Sequence, residues 1–196
     1  MPLVDIPLFP LGTVLFPGAP LHLRIFEPRY LDLVRECTRN QSGFGVCLIL
    51  EGRETGAPAV PAAIGTLARI VDFDTMADGI LGIRVEGSVR FRVERTRVRD
   101  SGLLHGDVRF FAEEPPIEVP PEHGLLPAIL ERLLDQLGGP HANAEKAHFD
   151  DAAWVGFRLA ELLPLPLAEK QHLLQLTDPC RRLAALQDCM ANLLPE

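Results

Sequence analysis

The stretch Leu81-Gly-Ile-Arg-Val-Glu-Gly-Ser-Val-Arg-Phe-Arg-Val-Glu94 alternates aliphatic and polar residues over most of its length. Leu81, Ile83 and Val85 alternate with Gly82, Arg84 and Glu86, and Val89, Phe91 and Val93 with Arg90, Arg92 and Glu94. Successive side chains of a strand point to opposite faces, so a period of two sets aliphatics on one face and charges on the other. Gly87 interrupts the pattern as a bulge or bend would. Working outward, residues 64–71 form a second apolar run, and residues 72–79, ending in Asp78-Gly79, read as the turn between the two strands. Residues 104–111 supply a further strand. Short strands with Gly-rich breaks imply a closed or partly closed barrel.

One helix interrupts this β region. Pro28 suits a first helical position, Tyr30, Val34 and Cys37 then share a face, and residues 40–43 end the helix. Residues 112–121, with four prolines in ten positions, read as a stiff extended linker. The rest reads as four short helices. Leu126, Leu130, Leu133 and Leu137 share one face, stopped by Gly138-Gly139-Pro140; Ala153, Phe157 and Ala160 share another, up to Pro164. Pro166 opens a third, and Asp178-Pro179 opens a fourth with the stripe Leu183, Leu186, Met190, Leu193 and Leu194. The fold class expected is α+β in two consecutive blocks, a β-barrel subdomain over 1–115 and a helical-bundle subdomain over 116–196.

The 196 residues are 47% hydrophobic and 23% charged, which excludes a disordered or coiled-coil chain. A net charge of −8 argues against a general phosphate-backbone binder. The longest uncharged stretch, residues 6–23, holds Pro7, Pro10, Pro17 and Pro20, so it is no continuous helix; only Asp5 precedes it as a charge, so the basic flank of a signal peptide is missing. A cytoplasmic location and no membrane partner are expected. Cys37, Cys47, Cys180 and Cys189 read as reduced structural thiols.

Of the 19 basic residues only Lys146 and Lys170 are lysines, and each follows Glu, so there is no Gly-Lys-Ser/Thr phosphate loop. Neither a Gly-x-Ser-x-Gly elbow nor a Cys-x-x-Cys or His-Glu-x-x-His motif occurs, and Ser42, Ser88 and Ser101 sit in no nucleophile setting. No cofactor is expected. His141, Glu145, His148, Asp150 and Asp151 would offer metal-ligand spacing on a helix, but after Gly-Gly-Pro they read as a solvated loop, and no metal is expected. His22, His105, His123 and His172 show no partner spacing and read as surface or satisfied core. Arginines 84, 90, 92, 95, 97, 99 and 109 fall on polar strand faces. They either line an RNA groove or make a solvated face paired with Glu86, Glu94, Asp100 and Asp107; the second is favoured.

The segment Pro7-Leu-Phe-Pro-Leu-Gly-Thr-Val-Leu-Phe-Pro-Gly18 has more large apolars than one strand needs. It is either a buried edge or an apolar groove for a peptide. On the second reading Phe16, Leu21 and Phe26 border the groove, and Arg24 and Arg29 form its charged rim; on the first, all three apolars are core.

This segment, followed by Phe26-Glu-Pro-Arg-Tyr30, resembles the N-terminal substrate-recognition domain of the ATP-dependent protease Lon. Two further features match in order: Ile64-Gly-Thr-Leu-Ala with Ile83-Arg-Val-Glu-Gly-x-x-Arg90, and Leu167-Ala-Glu-Lys-Gln-x-Leu-Leu174 with Asp178-x-x-x-Arg182-Leu183. Small stand-alone bacterial proteins carry a similar domain, and the chain looks most like those. The resemblance implies a PUA-like β barrel followed by a helical bundle, and a module that holds protein segments. In that family hydrolysis belongs to an ATPase module and a Ser-Lys peptidase module that would begin beyond Glu196, so the chain is expected to be no enzyme and to carry no catalytic residue. The expected partners are unfolded or partner protein segments. The alternative is an RNA-binding PUA-like domain.

Overall fold

The computed structural model describes residues 2–76 and 78–191, so Leu193 and Leu194 of the last apolar stripe lie outside the described residues. The chain divides into two compact units, Met1–Ala112 and Glu113–Glu196.

The first unit contains seven strands and one helix among the described residues: β1 (Val4–Leu11), β2 (Pro20–Ile25), α1 (Pro28–Asn40), β3 (Phe44–Glu51), β4 (Val60–Pro61), β5 (Ile64–Thr75), β6 (Leu81–Val98) and β7 (Leu104–Phe110). Pairing runs β1-β7-β6-β5-β3, and β3 pairs back onto β1 in parallel, which closes a five-stranded ring. The other ladders are antiparallel, with β2 added to residues 81–86 of β6 and β4 to the end of β3. Closure leaves the ring without a bare edge where its strands are fully paired.

The alternation at 81–94 makes β6. Phe91 is fully buried in a core cluster with Ile6, Leu8, Cys47, Leu104 and Val108, and its ring meets Phe110 edge-on at 6.4 Å. β1 is buried on both faces: Ile6 and Leu8 enter that cluster, while Phe9 stacks on Tyr30 of α1 at 3.8 Å. Tyr30, Leu33, Val34 and Cys37 are the apolar side of α1 laid against the barrel.

At Gly87 the pairing slips, Thr66 facing Arg90 but Ala68 facing Gly87, so β6 carries an extra residue there. Gly87 donates its N–H to Ala19 O (2.9 Å) and accepts from Gly18 N (2.7 Å). A Cβ at this position would stand 2.2 Å from Phe16 O; only glycine lets the 16–19 loop lie so close. One expectation is corrected here: Arg90 is not solvated but 4% exposed, its guanidinium 5.1 Å from the ring centre of Phe111.

The expected turn at 72–79 is shorter. β5 continues to Thr75 and β6 begins at Leu81, with Gly79 N donating to Met76 O (2.8 Å) between them. A second bulge between Ile70 and Asp72 breaks the alternation without ending the ladder.

The second unit holds a 3₁₀ turn at Pro121–His123, then α2 (Leu125–Leu137), α3 (Lys146–Phe149), α4 (Ala152–Leu162), α5 (Leu167–Gln175) and α6 (Pro179–Ala191). The four expected helices are α2, α4, α5 and α6; α3 is an additional single turn. The central α4 packs on α2, α3, α5 and α6, and Asp151 caps it by accepting from Ala153 N at 3.0 Å. The proline-rich stretch is extended, as its composition demands, but it is laced into this unit. Ala152 N donates to Ile117 O and Val119 N to Asp150 O. Glu114 takes a bidentate pair from the fully buried Arg182 at 2.9 and 2.6 Å. In α2 the buried leucines are Leu126, Leu130 and Leu134, one per turn. Leu133 is half-buried and Leu137 is 61% exposed, which corrects the expected face.

Candidate functional site

The site follows from unequal strand lengths. β3 begins at Phe44, opposite Ala68 of β5, and its pairing with β1 begins at Gly45, opposite Leu8. Gly43 presses on β5 there, since a Cβ on it would stand 2.5 Å from Ala68 O. Residues Val4–Pro7 of β1 and Arg69–Thr75 of β5 therefore run on past the strand that lies between them. The opening left is a groove of about 750 Å³ with an apolar lining from Val4, Ile6, Leu67, Ile70, Phe73 and Phe110. The last turn of α1 borders it through Thr38 and Gln41; Gln41 takes a left-handed conformation (φ 51°), and Ser42 N donates back to Cys37 O at 3.0 Å. Val4 and Phe73 are 39% and 51% exposed. A smaller cavity of about 240 Å³ lies on the other side of Phe73, among β2, β5 and β6, with His22, Asp72, Asp74 and Arg84 around it.

None of the five residues singled out from sequence lines the larger groove. Phe16 is fully buried in the loop that Gly87 admits, so it presents nothing to an outside chain. Arg29 is 9% exposed; it pairs with Glu27 (3.0 Å), stacks on Tyr30 and donates to Glu54 O (3.2 Å), all structural duties. Leu21 is half-buried on β2, opposite Val85. Arg24 is exposed and pairs with Asp78, and Phe26 is 56% exposed just before α1. Ile70 belongs to the apolar run expected as a strand, but nothing in the sequence marks it as lining an opening, and Phe73, set between Asp72 and Asp74, falls in the stretch expected to turn.

Elsewhere most of the strand arginines are occupied, Arg92 and Arg95 being exposed. Arg84 pairs with Asp72, Arg97 with Asp5 and Asp107, Arg99 with Asp5 and Glu36, and Arg109 with Glu94. His105, 1% exposed, meets Asp5 Oδ1 at 3.1 Å. Burial pushes the Asp5 carboxyl up, but hydrogen bonds and charge from His105 and Arg97 outweigh it and hold it below its ordinary value. Burial drives Cys47 to about 12 and Cys37 to about 11, so neither is a thiolate near neutrality. Ser88 donates to Leu67 O (3.0 Å) and Ser101 accepts from Leu103 N (3.4 Å). The histidines at 141 and 148 pack on Trp154, and His141 Nε2 meets Arg158 at 2.8 Å. Among the described residues no three His, Cys, Asp or Glu are grouped to hold a metal ion, and no helix is long and apolar enough to cross a membrane.

A family model described as the ATP-dependent protease La (LON) substrate-binding domain matches residues 5–192. A solved Lon N-terminal domain protein from Xanthomonas campestris is 51% identical, with a TM-score of 0.80, covering 94% of this chain and 98% of that one. The N-terminal domain of a Mycobacterium avium complex Lon protease shares the fold at 20% identity, with a TM-score of 0.68 over 97% of this chain and all (100%) of that one. A LON peptidase N-terminal domain and RING finger protein of Schizosaccharomyces pombe is 24% identical over 91% of this chain and 43% of its own length. The Lon protease of Escherichia coli is 24% identical over 96% of this chain and 25% of its own length. The chain thus spans under half of these curated relatives.

Proposed function

The chain belongs to the LON substrate-binding domain family, and from that premise we propose that it is a non-catalytic module that binds segments of other proteins. The observation that carries this reading is the family match over residues 5–192, which runs through both compact units. The apolar groove at the short end of β3 supplies a surface suited to it. Leu21, Arg24 and Phe26 are kept as a second, outer contact area, while Phe16 and Arg29 are released to the core. The non-catalytic part rests on the serines and buried thiols, which serve turns and packing. We place the module in the cytoplasm. The RNA-binding alternative is disfavoured because, of the seven strand arginines, Arg84, Arg97, Arg99 and Arg109 are already matched by carboxylates and Arg90 is buried, which leaves only Arg92 and Arg95 exposed to meet phosphates.

The test is fluorescence anisotropy with labelled, reduced and alkylated casein, beside a labelled single-stranded RNA, from about 50 to about 500 mM salt. Apolar capture holds across that range, whereas phosphate-led binding falls steeply. Casein binding that persists, without casein cleavage or ATP turnover, is the expected result. RNA binding with no casein binding would overturn the proposal.

A further inference from the structure

The groove has the form of a missing strand. Where β1, β3 and β5 run side by side, β3 separates the outer two by two strand spacings, about 10 Å. Below Phe44 the neighbours continue and β3 does not. Among the described residues, Arg69–Thr75 pair only with β6, so one edge of that stretch joins no ladder; its Phe73 N–H donates to Asp72 Oδ1 at 2.9 Å, a local bond that an added strand would have to replace. Edges of this kind template the addition of another strand unless they are blunted. Here the edge carries Val71 and Phe73, 49% and 51% exposed. The carboxylates of Asp72 and Asp74 border the other cavity, and Asp72 is engaged by Arg84 at 3.2 Å.

Charge narrows the occupant further. Arg69 is exposed and, among the described residues, is the one ionised side chain on the groove's lining. Its register neighbour on β6 is Glu86, yet among the described residues no carboxylate makes an ion pair with it. The groove therefore offers an unpaired strand edge, an apolar floor and one free cation.

Resting on the protein-binding reading above, we propose that the groove binds an extended apolar segment of another protein as an added strand on β5, with an acidic side chain of that segment meeting Arg69. Its backbone completes the ladder of Arg69–Thr75, and alternate side chains enter the floor of Ile6, Leu67, Ile70 and Phe110. A helix, whose backbone donors and acceptors are paired internally, could not satisfy a β edge.

The probe is a fluorescein-labelled ten-residue peptide of alternating valine and threonine with one central glutamate, titrated into the full chain alongside labelled casein. A second peptide has the same side chains but N-methylated amides at alternate positions, which removes ladder donors and leaves the apolar surface. We expect N-methylation on the ladder-facing amides to weaken binding by about tenfold or more. Phe73→Ser should weaken the parent peptide severalfold, with circular dichroism unchanged. Arg69→Glu should reverse the preference between the glutamate peptide and one with lysine in its place. Equal binding of peptides methylated in either register overturns strand addition. Casein binding unaffected by Phe73→Ser and Arg69→Glu, with no peptide binding, overturns the inference and leaves the module reading intact. If neither casein nor peptide binds, both fall.

Discussion

Replacing Gly45 by alanine should destabilise the barrel through one ring, that of Phe91. Gly45 lies on β3 opposite Leu8 with no left-handed backbone requirement, so any cost is steric. The added methyl would stand 2.6 Å from Phe91 Cζ, 2.6 Å from Leu8 Cδ2 and 3.1 Å from Ile6 Cδ1. Carbon atoms prefer about 3.5–4.0 Å, so the ring must retreat about 1 Å into a cluster with no slack. Overpacking of this kind costs about 1–3 kcal/mol. Phe91→Ala, at 0% exposure, should cost about 3–5 kcal/mol by leaving a cavity. The double variant discriminates. With the ring gone, the methyl faces only flexible aliphatic ends and partly fills the hole, so the combined loss should fall short of the sum by about 1 kcal/mol or more. Urea unfolding followed by far-UV circular dichroism measures all three, with Trp154 fluorescence reporting on the helical unit. Additive losses would refute the competition for space. Arg92→Ala, on the exposed face, is the control and should cost below about 0.5 kcal/mol; a loss equal to that of Phe91→Ala would shift the register of β6 by one residue.

Removing one partner of the Arg182–Glu114 pair leaves a buried charge, so Glu114→Ala should cost about 3–5 kcal/mol in chemical denaturation; a loss within error would show that solvent reaches Arg182. The Asp5 carboxyl lies below its unfolded value of 3.8, so its contribution to stability is present above that value and is lost as the pH falls through the lower folded one. Asp5→Asn should accordingly flatten the acid limb of a thermal-midpoint profile below about pH 4, and an unchanged limb counts against the His105–Asp5–Arg97 arrangement. Iodoacetamide at mild alkaline pH, read by mass spectrometry, should modify Cys180 first, Cys189 more slowly because burial and the Glu169 carboxylate raise its thiol, and spare Cys37 and Cys47; early labelling of Cys47 would show the barrel opening locally.

Much of the fold could be read from the chain because its signals are local. The period of two at 81–94 gives β6, and Pro28 with Tyr30, Val34 and Cys37 gives α1 and its buried side. The errors arise where a local pattern has two solutions. In α2 the leucines at 126, 130, 133, 134 and 137 offer two overlapping faces, and only packing against α4 selects the one through Leu134. Arg90 keeps its place in the alternation, but it packs against Phe111, distant in sequence, and is buried rather than solvated. Phe16 and Phe26 look equivalent in sequence. They differ because the first follows a loop drawn onto β6 by the missing side chain of Gly87, while the second sits where β2 has ended and α1 has just begun.

The groove belongs to a further class, invisible to any local reading. Each of β1, β3 and β5 can be recognised by itself, but the opening comes from a difference between them: β3 starts at Phe44, and the strands on either side extend beyond it. That difference is set by where α1 stops, because the left-handed turn at Gln41 and the tight approach of Gly43 to Ala68 fix the first residue that β3 can contribute. Extending α1 by one turn or shortening the 41–43 connection would move that start and change the size of the opening without altering any residue that lines the β5 edge. A binding site of this kind is specified by the end of a helix on one side of the wall and read out by the edge of a strand on the other. The residues that form it and the residues that determine its existence are therefore largely different sets.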